Sequence, residues 1–355
     1  MPETLTGAVT RADHRTESHA FTAGDGLPLT LVRVRAEGHP EPWRGPVMLV
    51  HGAGVRGELF RPPLQRTLVD ALLEDGWDVW LLNWRASIDL PPVPWTLDDA
   101  AAYDHPYAVR HVLQLTGATT MKAVVHCQGS TSFTMSAVAG LVPGVDTVVT
   151  NAVSLHPVLP RWSRLKIHAL TPMLTRLTPH LDPGWGDQPD SAMGWLTRTA
   201  VLAGHRECDN AVCRLVSFTY GAGRPALWSH ANLDEATHDW LRGEFGRVPV
   251  SFFAHMRACV AAGRMVSVTD NPKLPDDFTA EPPQTDARFA FFAGEDNLSF
   301  LPESQQLSWE FFRQHRPDRG DTLHRLAHYG HLDLFLGKDA AHDVHPLILA
   351  ELRGP

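Results

Sequence analysis

The spacing of hydrophobic residues predicts strands that alternate with helices over the first 155 residues. Residues Leu29 to Ala36 alternate between apolar and polar, as in an edge strand that is buried on one face. Continuous apolar runs at Pro46 to His51, Trp77 to Trp84 and Val145 to Val153 are typical of strands buried on both faces. Strands in alternation with helices imply a mostly parallel sheet flanked by helices, which is an α/β fold.

Helix signals lie between and beyond these strands. Pro62 and Pro63 predict the start of one helix, and a second helix is predicted over about Ala101 to Leu115. Further along the chain, Asn232 and Glu235 have the spacing of a capping box, which predicts a helix that begins at this point.

The predicted secondary structure changes between His156 and Asp286, where helices and proline-containing loops dominate. The strand pattern returns at Ala287 to Gly294 and at Thr322 to His328. We therefore expect residues 1–155 and 287–355 to form the α/β core. Residues 156–286 are expected to form a helical lid, inserted between two late strands above the carboxyl ends of the sheet.

Composition favours a globular protein that acts on a small molecule. The 355 residues are 43% hydrophobic and 20% charged, which is typical of an ordered domain rather than a disordered chain. A net charge of -9, without clusters of Lys and Arg, argues against nucleic acid as a partner. The N-terminal residues lack the features of a signal peptide, and no apolar stretch has bilayer length, so we expect a cytoplasmic protein. The oligomeric state is left open.

The cysteines and histidines do not indicate a disulfide framework or a metal. Cys127, Cys208, Cys213 and Cys259 show no paired CxxC spacing, and free thiols suit a reducing compartment. The 20 histidines include no HExxH motif, and a set such as His205, Cys208 and Cys213 matches no standard zinc spacing. We expect no cofactor and no metal, with the histidines scattered over surfaces and helix caps.

A sharp junction between a strand and a helix draws attention to one cysteine. In the segment AVVHCQGSTSF, the apolar run through Val125 predicts the end of a buried strand, and Ser130 to Ala139 predicts a helix. Cys127 lies in the turn between them. A helix N-terminus and a nearby imidazolium both favour a thiolate, so we expect the pKa of Cys127 to be lowered.

The segment HGAGVRG after the strand at Pro46 supports two interpretations. Gly52, Gly54 and Gly57 match the G-x-G-x-x-G of dinucleotide-binding proteins, with Arg85 as a candidate partner for an NADP phosphate. That interpretation requires a helix that starts within the glycines, and it leaves Cys127 without a role. In the other interpretation the loop forms an oxyanion hole from the backbone N–H groups of Ala53 and of Gln128, the residue after the nucleophile.

The sequence V-H-C-Q-G resembles the nucleophile elbow of the α/β-hydrolase superfamily, with Cys127 in the serine position and Gly129 as its second glycine. Val125 departs from the pattern, in which the first position is small. The segment FFAGEDNL resembles the site of the acid in these hydrolases, which implies Asp296. HYGHLDLFLGKDA resembles the histidine segment of acid-lipase-like hydrolases, which implies His331, and the order nucleophile, acid, histidine is that of the fold.

Longer segments are similar to the hydrolase domain found alone or fused to cholesterol-oxidase-like flavoproteins. They are HCQGSTSF, CRLVSFTYG, ANLDEATHDWLRGEFG and YGHLDLFLGKDAAHDVHPLILAEL. The similarity spans the chain from about Val47 and implies the fold more strongly than the substrate. The resemblance to these steroid-associated proteins implies an apolar substrate.

Several of these roles have alternatives. Glu295 and Asp333 compete with Asp296 as the acid, while His324 and His328 compete with His331 but are expected within the last strand. His126 is expected to pack rather than react, and Ser130 lies too far inside its helix to replace Cys127. His156 and Trp162 are equally suited to line a pocket or to pack the lid. Arg85 and Asp104 are expected to join elements through a salt bridge or cap.

The resulting hypothesis is acyl transfer by a Cys127–His331–Asp296 triad. An acyl-cysteine intermediate would be hydrolysed by water, and a thioester, an activated ester or a lactone of an apolar small molecule would be the substrate. One alternative is an acyltransferase or cyclase that passes the acyl group to an alcohol or amine. Another is a binding protein on an inactive hydrolase scaffold, and a weaker one is an NADP-dependent oxidoreductase.

Overall fold

A computed structural model of the chain describes residues 14–37 and 41–354. The N-terminal residues on which the expectation about a signal peptide rests lie, except for His14, outside this part of the chain. Within the described ranges, no helix combines the length and the hydropathy that a membrane span requires.

Eight strands of the described chain form one mixed, mostly parallel sheet, and two short strands pair separately. The strands are β1 (His14–Thr22), β2 (Pro28–Ala36), β3 (Pro46–Val50), β4 (Asp78–Asn83), β5 (Met121–His126), β6 (Val145–Asn151), β7 (His180–Leu181), β8 (Val248–Pro249), β9 (Arg288–Gly294) and β10 (Thr322–Leu326). The sheet order is β1-β2-β4-β3-β5-β6-β9-β10, with β7 and β8 apart. The pairs β1/β2 and β2/β4 are antiparallel and the others in the large sheet are parallel. The predicted parallel sheet is confirmed, and β1 and β2 form its antiparallel edge.

Thirteen α-helices occur in the described ranges. They are α1 (Leu68–Glu74), α2 (Leu97–Asp99), α3 (His105–Thr116), α4 (Cys127–Val138), α5 (Arg161–Leu177), α6 (Ala192–Gly204), α7 (Ala211–Tyr220), α8 (Glu235–Trp240), α9 (Val250–Ala262), α10 (Pro302–His315), α11 (Asp333–Leu336), α12 (Ala340–Asp343) and α13 (His345–Arg353). A π-helical turn, Ala100–Asp104, joins α2 to α3.

Strand β3 shows why the core residues form continuous apolar runs. Val47 and Leu49 belong to one hydrophobic cluster, whereas Met48 and Val50 belong to another. Successive side chains of a strand point to opposite faces, so both faces of the sheet are covered. A strand in this position needs apolar residues throughout, as the sequence predicted.

Two helix starts differ from the sequence predictions. Helix α1 begins at Leu68, not at Pro62, because Thr67 and Asp70 form a capping box that satisfies the first backbone N–H groups. Helix α8 is capped by Asp234, whose side chain accepts a hydrogen bond from the backbone N–H of Thr237. Asn232 therefore does not cap this helix; its amide donates instead to Asp333 and to the carbonyl of His328.

Residues 156–286, between β6 and β9, contain α5 to α9 and the β7/β8 pair. Helices α5 and α9 pack against each other, and α6 packs against α7. This segment and the carboxyl ends of the parallel strands together surround the pocket described below.

Candidate active site

Cys127 occupies a strained turn between β5 and α4. Its φ angle is +56°, in the left-handed region that non-glycine residues rarely adopt. The turn brings α4 so close to the neighbouring strand that a Cβ atom on Gly129 would lie 2.1 Å from the carbonyl oxygen of His51. A Cβ on Gly52 would lie 2.8 Å from the Cβ of Cys127. These two contacts explain why glycine occupies both positions, and they place the sulfur against the HGAG loop.

Two backbone N–H groups face the Cys127 sulfur. The N–H groups of Gln128 and Ala53 both hydrogen-bond to the thiol and favour its charged form. These are the residues that the sequence predicted as oxyanion donors. Tyr220 adds a contact that the sequence did not predict, because its hydroxyl donates to the carbonyl oxygen of Ala53 at 3.2 Å. Two N–H donors at the sulfur favour an anion and disfavour a cation.

His331 lies in a loop that follows β10 and reaches back over the elbow. Nitrogen atoms of His331 and His126 and the sulfur of Cys127 all lie within 4.8 Å of one another. The backbone of His331 is held by Leu227, whose carbonyl oxygen accepts its N–H at 3.1 Å. Asp333 supports the same loop by accepting hydrogen bonds from the N–H groups of Gly330 and Ser229.

His126 packs beside His331 with its ring held by β6. The two imidazole centroids are 4.7 Å apart, and the His126 ring also packs against Phe335. The side-chain amide of Asn151 donates to Nδ1 of His126 at 2.9 Å and to the carbonyl of His331 at 3.0 Å. Asn151 therefore couples the strand before the nucleophile to the histidine loop. The three ligand atoms at this elbow could hold a soft metal, but the two N–H groups at the sulfur argue for a nucleophile instead.

Burial has the largest effect on the pKa values of Cys127 and His331. It raises the pKa of the Cys127 thiol to about 12, although the N–H groups of Gln128 and Ala53 act in the opposite direction. It lowers the pKa of His331 to about 3. The expected lowering of the Cys127 pKa is therefore wrong, because desolvation outweighs the helix N-terminus. At neutral pH a neutral thiol faces a neutral imidazole.

The structure does not bring a carboxylate to His331. Asp296 is exposed, although its backbone N–H donates to Tyr329 O at 2.9 Å, next to the histidine loop. Among the residues that the structure describes, neither ring nitrogen of His331 has a hydrogen-bond partner. The competing acids are placed elsewhere, since Glu295 pairs with Arg325 on the surface and Asp333 binds backbone groups of its own loop. Asn297, beside Asp296, is buried.

The other candidate residues lie away from the chemistry. His324 is in β10, where its Nε2 contacts Glu351 at 2.5 Å. His328 lies beyond the end of β10 in an exposed turn, so its predicted place in the strand is wrong. Ser130 is buried inside α4 and contacts Thr150, as its position in the helix predicted.

An apolar pocket, partly open to solvent, leads to Cys127 and Gln128. Its apolar side chains come from α5 and the residues before it, from β7, α7 and α9, and from the loop after β9, and include Leu159, Ile167, Leu170, Leu174, Leu181, Phe218, Phe252, Phe253, Met256 and Phe300. Neither His156 nor Trp162 lines it: His156 packs against Phe311, and Trp162 is 63% exposed. Lys166 was missed; its ammonium lies at the pocket and donates to the carbonyls of Phe218 and Gly221 at 2.6 and 2.5 Å. Burial lowers its pKa to about 8.

The glycines of HGAGVRG serve packing. A Cβ on Gly54 would meet the Tyr220 hydroxyl at 2.5 Å, and one on Gly57 would meet Leu81 at 2.9 Å. Only a 3₁₀ turn of four residues, Gly57–Phe60, begins at these glycines, and the next α-helix is α1. Arg85 is buried and paired with Asp104 at 2.6 Å, as predicted for a structural ion pair. The dinucleotide interpretation lacks both its helix N-terminus and its free cation.

Comparison with solved structures decides the fold. An esterase from Thermogutta terrifontis with malate bound has a TM-score of 0.57 and 13% identity, over 95% of this chain and 98% of that one. An esterase from Exiguobacterium antarcticum has a TM-score of 0.55 and 13% identity, over 94% and 99% of the two chains. The chain has the α/β-hydrolase fold.

Sequence relatives are lipases and esterases. Triacylglycerol lipase 1 of Arabidopsis thaliana is 23% identical over 368 residues, covering 94% of this chain and 86% of the lipase. Lipase 1 of Drosophila melanogaster is 28% identical over 162 residues, 42% of this chain, and sterol esterase 2 of Saccharomyces cerevisiae is 27% identical over 165 residues, 40% of this chain. These two matches span only 35% and 31% of the relatives. No protein-family model matches the chain.

Proposed function

We propose that the protein is a cysteine-dependent acyl-transfer enzyme that hydrolyses a thioester, an activated ester or a lactone of an apolar small molecule. One observation carries the proposal: the Cys127 sulfur faces the N–H groups of Ala53 and Gln128 and lies beside the unprotonated imidazole of His331. Cys127 and Gln128 line the apolar pocket, and Ala53 and His331 line a smaller cavity that shares Cys127 and Tyr220 with it, so a nucleophile, a base and two anion-stabilising donors meet where the two spaces adjoin.

His331 acts as a general base in this mechanism. The Cys127 sulfur bonds to the substrate carbonyl carbon while His331 takes the thiol proton, and the carbonyl electrons move onto oxygen. The N–H groups of Ala53 and Gln128 stabilise that oxyanion. Collapse breaks the bond to the leaving group, which receives the proton from His331, and leaves an acyl-cysteine. Water then attacks with His331 again as the base, and the sulfur leaves and regains its proton.

The thiol favours substrates with good leaving groups. A thiolate leaves a tetrahedral intermediate readily, so attack on a simple alkyl ester tends to reverse, whereas a thioester or activated ester collapses forward. The apolar pocket fits an apolar acyl group. The lipase and sterol esterase relatives, and the resemblance to domains fused to cholesterol-oxidase-like flavoproteins, support a lipid-like substrate.

Two further parts belong to this proposal. Residues 156–286 act as a lid, supported by α5, which contributes Ile167 and Leu170 to the pocket while Trp162 and Leu165 are exposed. Asp296 acts as the acid that orients His331, supported by its backbone contact with Tyr329, two residues before His331. A buried imidazole without partners favours binding by a carboxylate that rotates inward.

The test compares acyl thioesters with alkyl esters that carry the same acyl chains. We expect the thioesters to have the larger kcat/KM, and intact-mass measurement during turnover to show an acyl adduct that maps to Cys127. Cys127→Ala should lower kcat by about a thousandfold or more. Cys259→Ser, a buried cysteine outside the pocket, is the matched control and should keep the wild-type rate.

Three results would contradict the proposal. They are fast hydrolysis of alkyl esters without thioester turnover, wild-type activity in Cys127→Ala, and tight ligand binding without any turnover, which would indicate a binding protein.

Adding an alcohol or amine acceptor separates hydrolysis from transfer, since an acyltransferase would form the acylated acceptor faster than the free acid. Asp296→Asn should lower kcat by about a hundredfold, while Glu295→Gln, the neighbouring exposed carboxylate, should not.

A further inference from the structure

Two cysteines and two histidines form a compact cluster outside the active site. The ligand atoms of Cys208, Cys213, His230 and His238 all lie within 4.8 Å of one another. The Cys213 sulfur is 3.5 Å from Nε2 of His230, and the Cys208 sulfur is 3.9 Å from Nε2 of His238. The two imidazole centroids are 4.8 Å apart at an angle of 82°. No other group of this size and donor type occurs among the described residues.

We propose that this cluster binds one structural zinc ion with Cys₂His₂ coordination. Two sulfurs and two nitrogens are the donor set that selects tetrahedral Zn²⁺. Tetrahedral bonds of about 2.3 Å to sulfur and about 2.0 Å to nitrogen separate neighbouring ligand atoms by about 3.3 to 3.8 Å. The contacts at 3.5 and 3.9 Å are close to that spacing, and the other pairs, all within 4.8 Å, need to close by at most about 1.5 Å. Binding releases the two thiol protons to solvent and leaves a neutral centre.

Neighbouring residues hold three of the four ligands, Cys208, Cys213 and His238, in place. Asn210 accepts from the N–H of Cys213 with its side-chain oxygen, at 3.0 Å, and donates with its amide to the carbonyl of His238, at 2.9 Å. The guanidinium of Arg214 donates to the carbonyl of Cys208. The indole N–H of Trp228 is buried and faces the Cys213 sulfur. Backbone and indole contacts of this kind orient the ligands of structural metal sites.

The cluster is built from separate pieces of the chain and joins them. Cys208 precedes α7, Cys213 lies in its first turn, His230 belongs to the segment Leu227–Asn232, and His238 lies in α8. The segment Leu227–Asn232 also holds the histidine loop, through Leu227 and Asn232. A metal here would therefore act on His331 only through this segment, as a positioning element.

The spacing explains why the sequence did not reveal the site. The ligands are arranged as C-x₄-C and H-x₇-H, separated by sixteen residues between Cys213 and His230. The cysteine spacing lies within C-x₂₋₄-C, but the seven residues between the histidines lie outside H-x₃₋₅-H, so the full pattern is not matched. The expectation of scattered histidines is therefore revised for His230 and His238, which the fold brings to the two cysteines.

The test uses the full-length wild-type protein. After chelation and dialysis, we expect one equivalent of Zn²⁺ to rebind and to raise the Tm. In the folded protein it should also slow the reaction of Cys208 and Cys213 with Ellman's reagent, compared with the metal-free protein. One equivalent of Co²⁺ should give the intense visible bands of a tetrahedral site together with sulfur-to-cobalt charge transfer. These readouts do not depend on catalysis, so failure of the proposed acyl transfer leaves them unchanged.

Variants identify the ligands. Cys208→Ser and His238→Gln should each lose the charge-transfer or ligand-field signature and the zinc equivalent, whereas Cys259→Ser and His342→Gln should keep one zinc per chain. The proposal is overturned if chelated wild-type protein binds no zinc with thiol protection, if cobalt gives an octahedral spectrum, or if a Cys208–Cys213 disulfide persists in protein kept under a thiol reductant. A variant that does not fold leaves the wild-type cobalt spectrum to decide.

Discussion

The carbonyl oxygen of Leu227 accepts the backbone N–H of His331 at 3.1 Å and that of Leu332 at 2.8 Å. Leu227 belongs to residues 156–286, whereas His331 belongs to the loop after β10. The proposed base is therefore held by a part of the chain that also surrounds the pocket. Changes in that segment can reach the chemistry through the backbone, without contacting the substrate.

Asp333 is the side chain that fastens this arrangement. Its carboxylate accepts from the N–H of Gly330 at 2.6 Å and from the amide of Asn232 at 2.6 Å. We expect Asp333→Ala to lower kcat by about 10- to 100-fold with a smaller effect on KM, because displacement of His331 by about an ångström is costly. The same steady-state assay on Asp339→Asn, an exposed residue a few positions away, should give wild-type values. Equal losses in both variants would remove Asp333 from this role.

A substitution at Gly129 tests the close packing of the turn between β5 and α4. Because an added Cβ would lie 2.1 Å from the backbone oxygen of His51, we expect Gly129→Ala to push α4 away and to abolish activity. Far-ultraviolet circular dichroism and the Tm separate local displacement from unfolding. Gly204→Ala is the control, since nothing lies within 4 Å of its added Cβ, and it should keep activity and Tm. An active, stable Gly129→Ala would contradict the geometry.

How far the sequence predicts the fold depends on what each signal measures. The runs that became β3 and β4 are apolar at every position because both faces of the sheet are covered, and that pattern is local. The start of α1 was misplaced because two prolines were given more weight than the Thr67–Asp70 box, a contact between neighbours that the letters permit but do not enforce. Sequence places elements better than it places their ends.

The same distinction applies to the active site, where a local motif predicts some residues and not those that distant parts of the chain supply. Cys127, Ala53, Gln128 and His331 follow from a turn motif and a resemblance, and the fold brings them together. Tyr220 comes from α7, far along the chain, and no local pattern marks it. The direction of the Cys127 pKa depends on how completely the surrounding atoms exclude water, which a motif does not contain.

The buried ion pair between Arg85 and Asp104 should dominate the stability of the loop after β4. Asp104 accepts from the guanidinium at 2.6 Å and from the Arg85 N–H at 3.0 Å, in full burial. Asp104→Asn leaves the cation without its main partner, so we expect the free energy of unfolding to fall by about 3 to 5 kcal/mol. Asp286→Asn, in an exposed pair with Arg319, should change it by less than about 1 kcal/mol. Urea denaturation of both variants compares them, and equal effects would contradict the burial argument.

Buried histidines should make the protein sensitive to acid. Burial lowers the pKa of His51 and His345 to about 4 and that of His105 and His331 to about 3, below the ordinary 6.5. Between pH 6.5 and 4 the unfolded chain binds more protons than the folded one, so stability falls as the pH falls, by about 1.4 kcal/mol per pH unit for each histidine.

A substitution at His345 tests the contribution of one of these histidines to the acid sensitivity. In urea titrations between pH 6 and 4.5, His345→Gln should reduce the pH slope of the unfolding free energy by about 1.4 kcal/mol per unit. His342→Gln is the control, because the hydrogen bond to Asp343 raises the pKa of that exposed ring, and its loss cannot lower the slope in this way. An unchanged slope in His345→Gln would mean that this imidazole is not held neutral in the folded state.

The charge state of the Cys127–His331 pair can be measured directly. A neutral thiol with a pKa near 12 exposes its thiolate in proportion to hydroxide, so the alkylation rate of Cys127 by iodoacetamide should rise about tenfold per pH unit from pH 7 to 10, without a plateau. A thiolate–imidazolium pair would instead react at a constant rate from mildly acidic pH upward. Timed quenching and peptide mass mapping give the rate for Cys127 alone. His331→Gln should leave this slope unchanged while it lowers kcat, because the imidazole acts on the thiol during attack on substrate and not before. A plateau that disappears in His331→Gln would instead indicate a thiolate–imidazolium pair. It would contradict the assignment of His331 as a general base that deprotonates a neutral thiol.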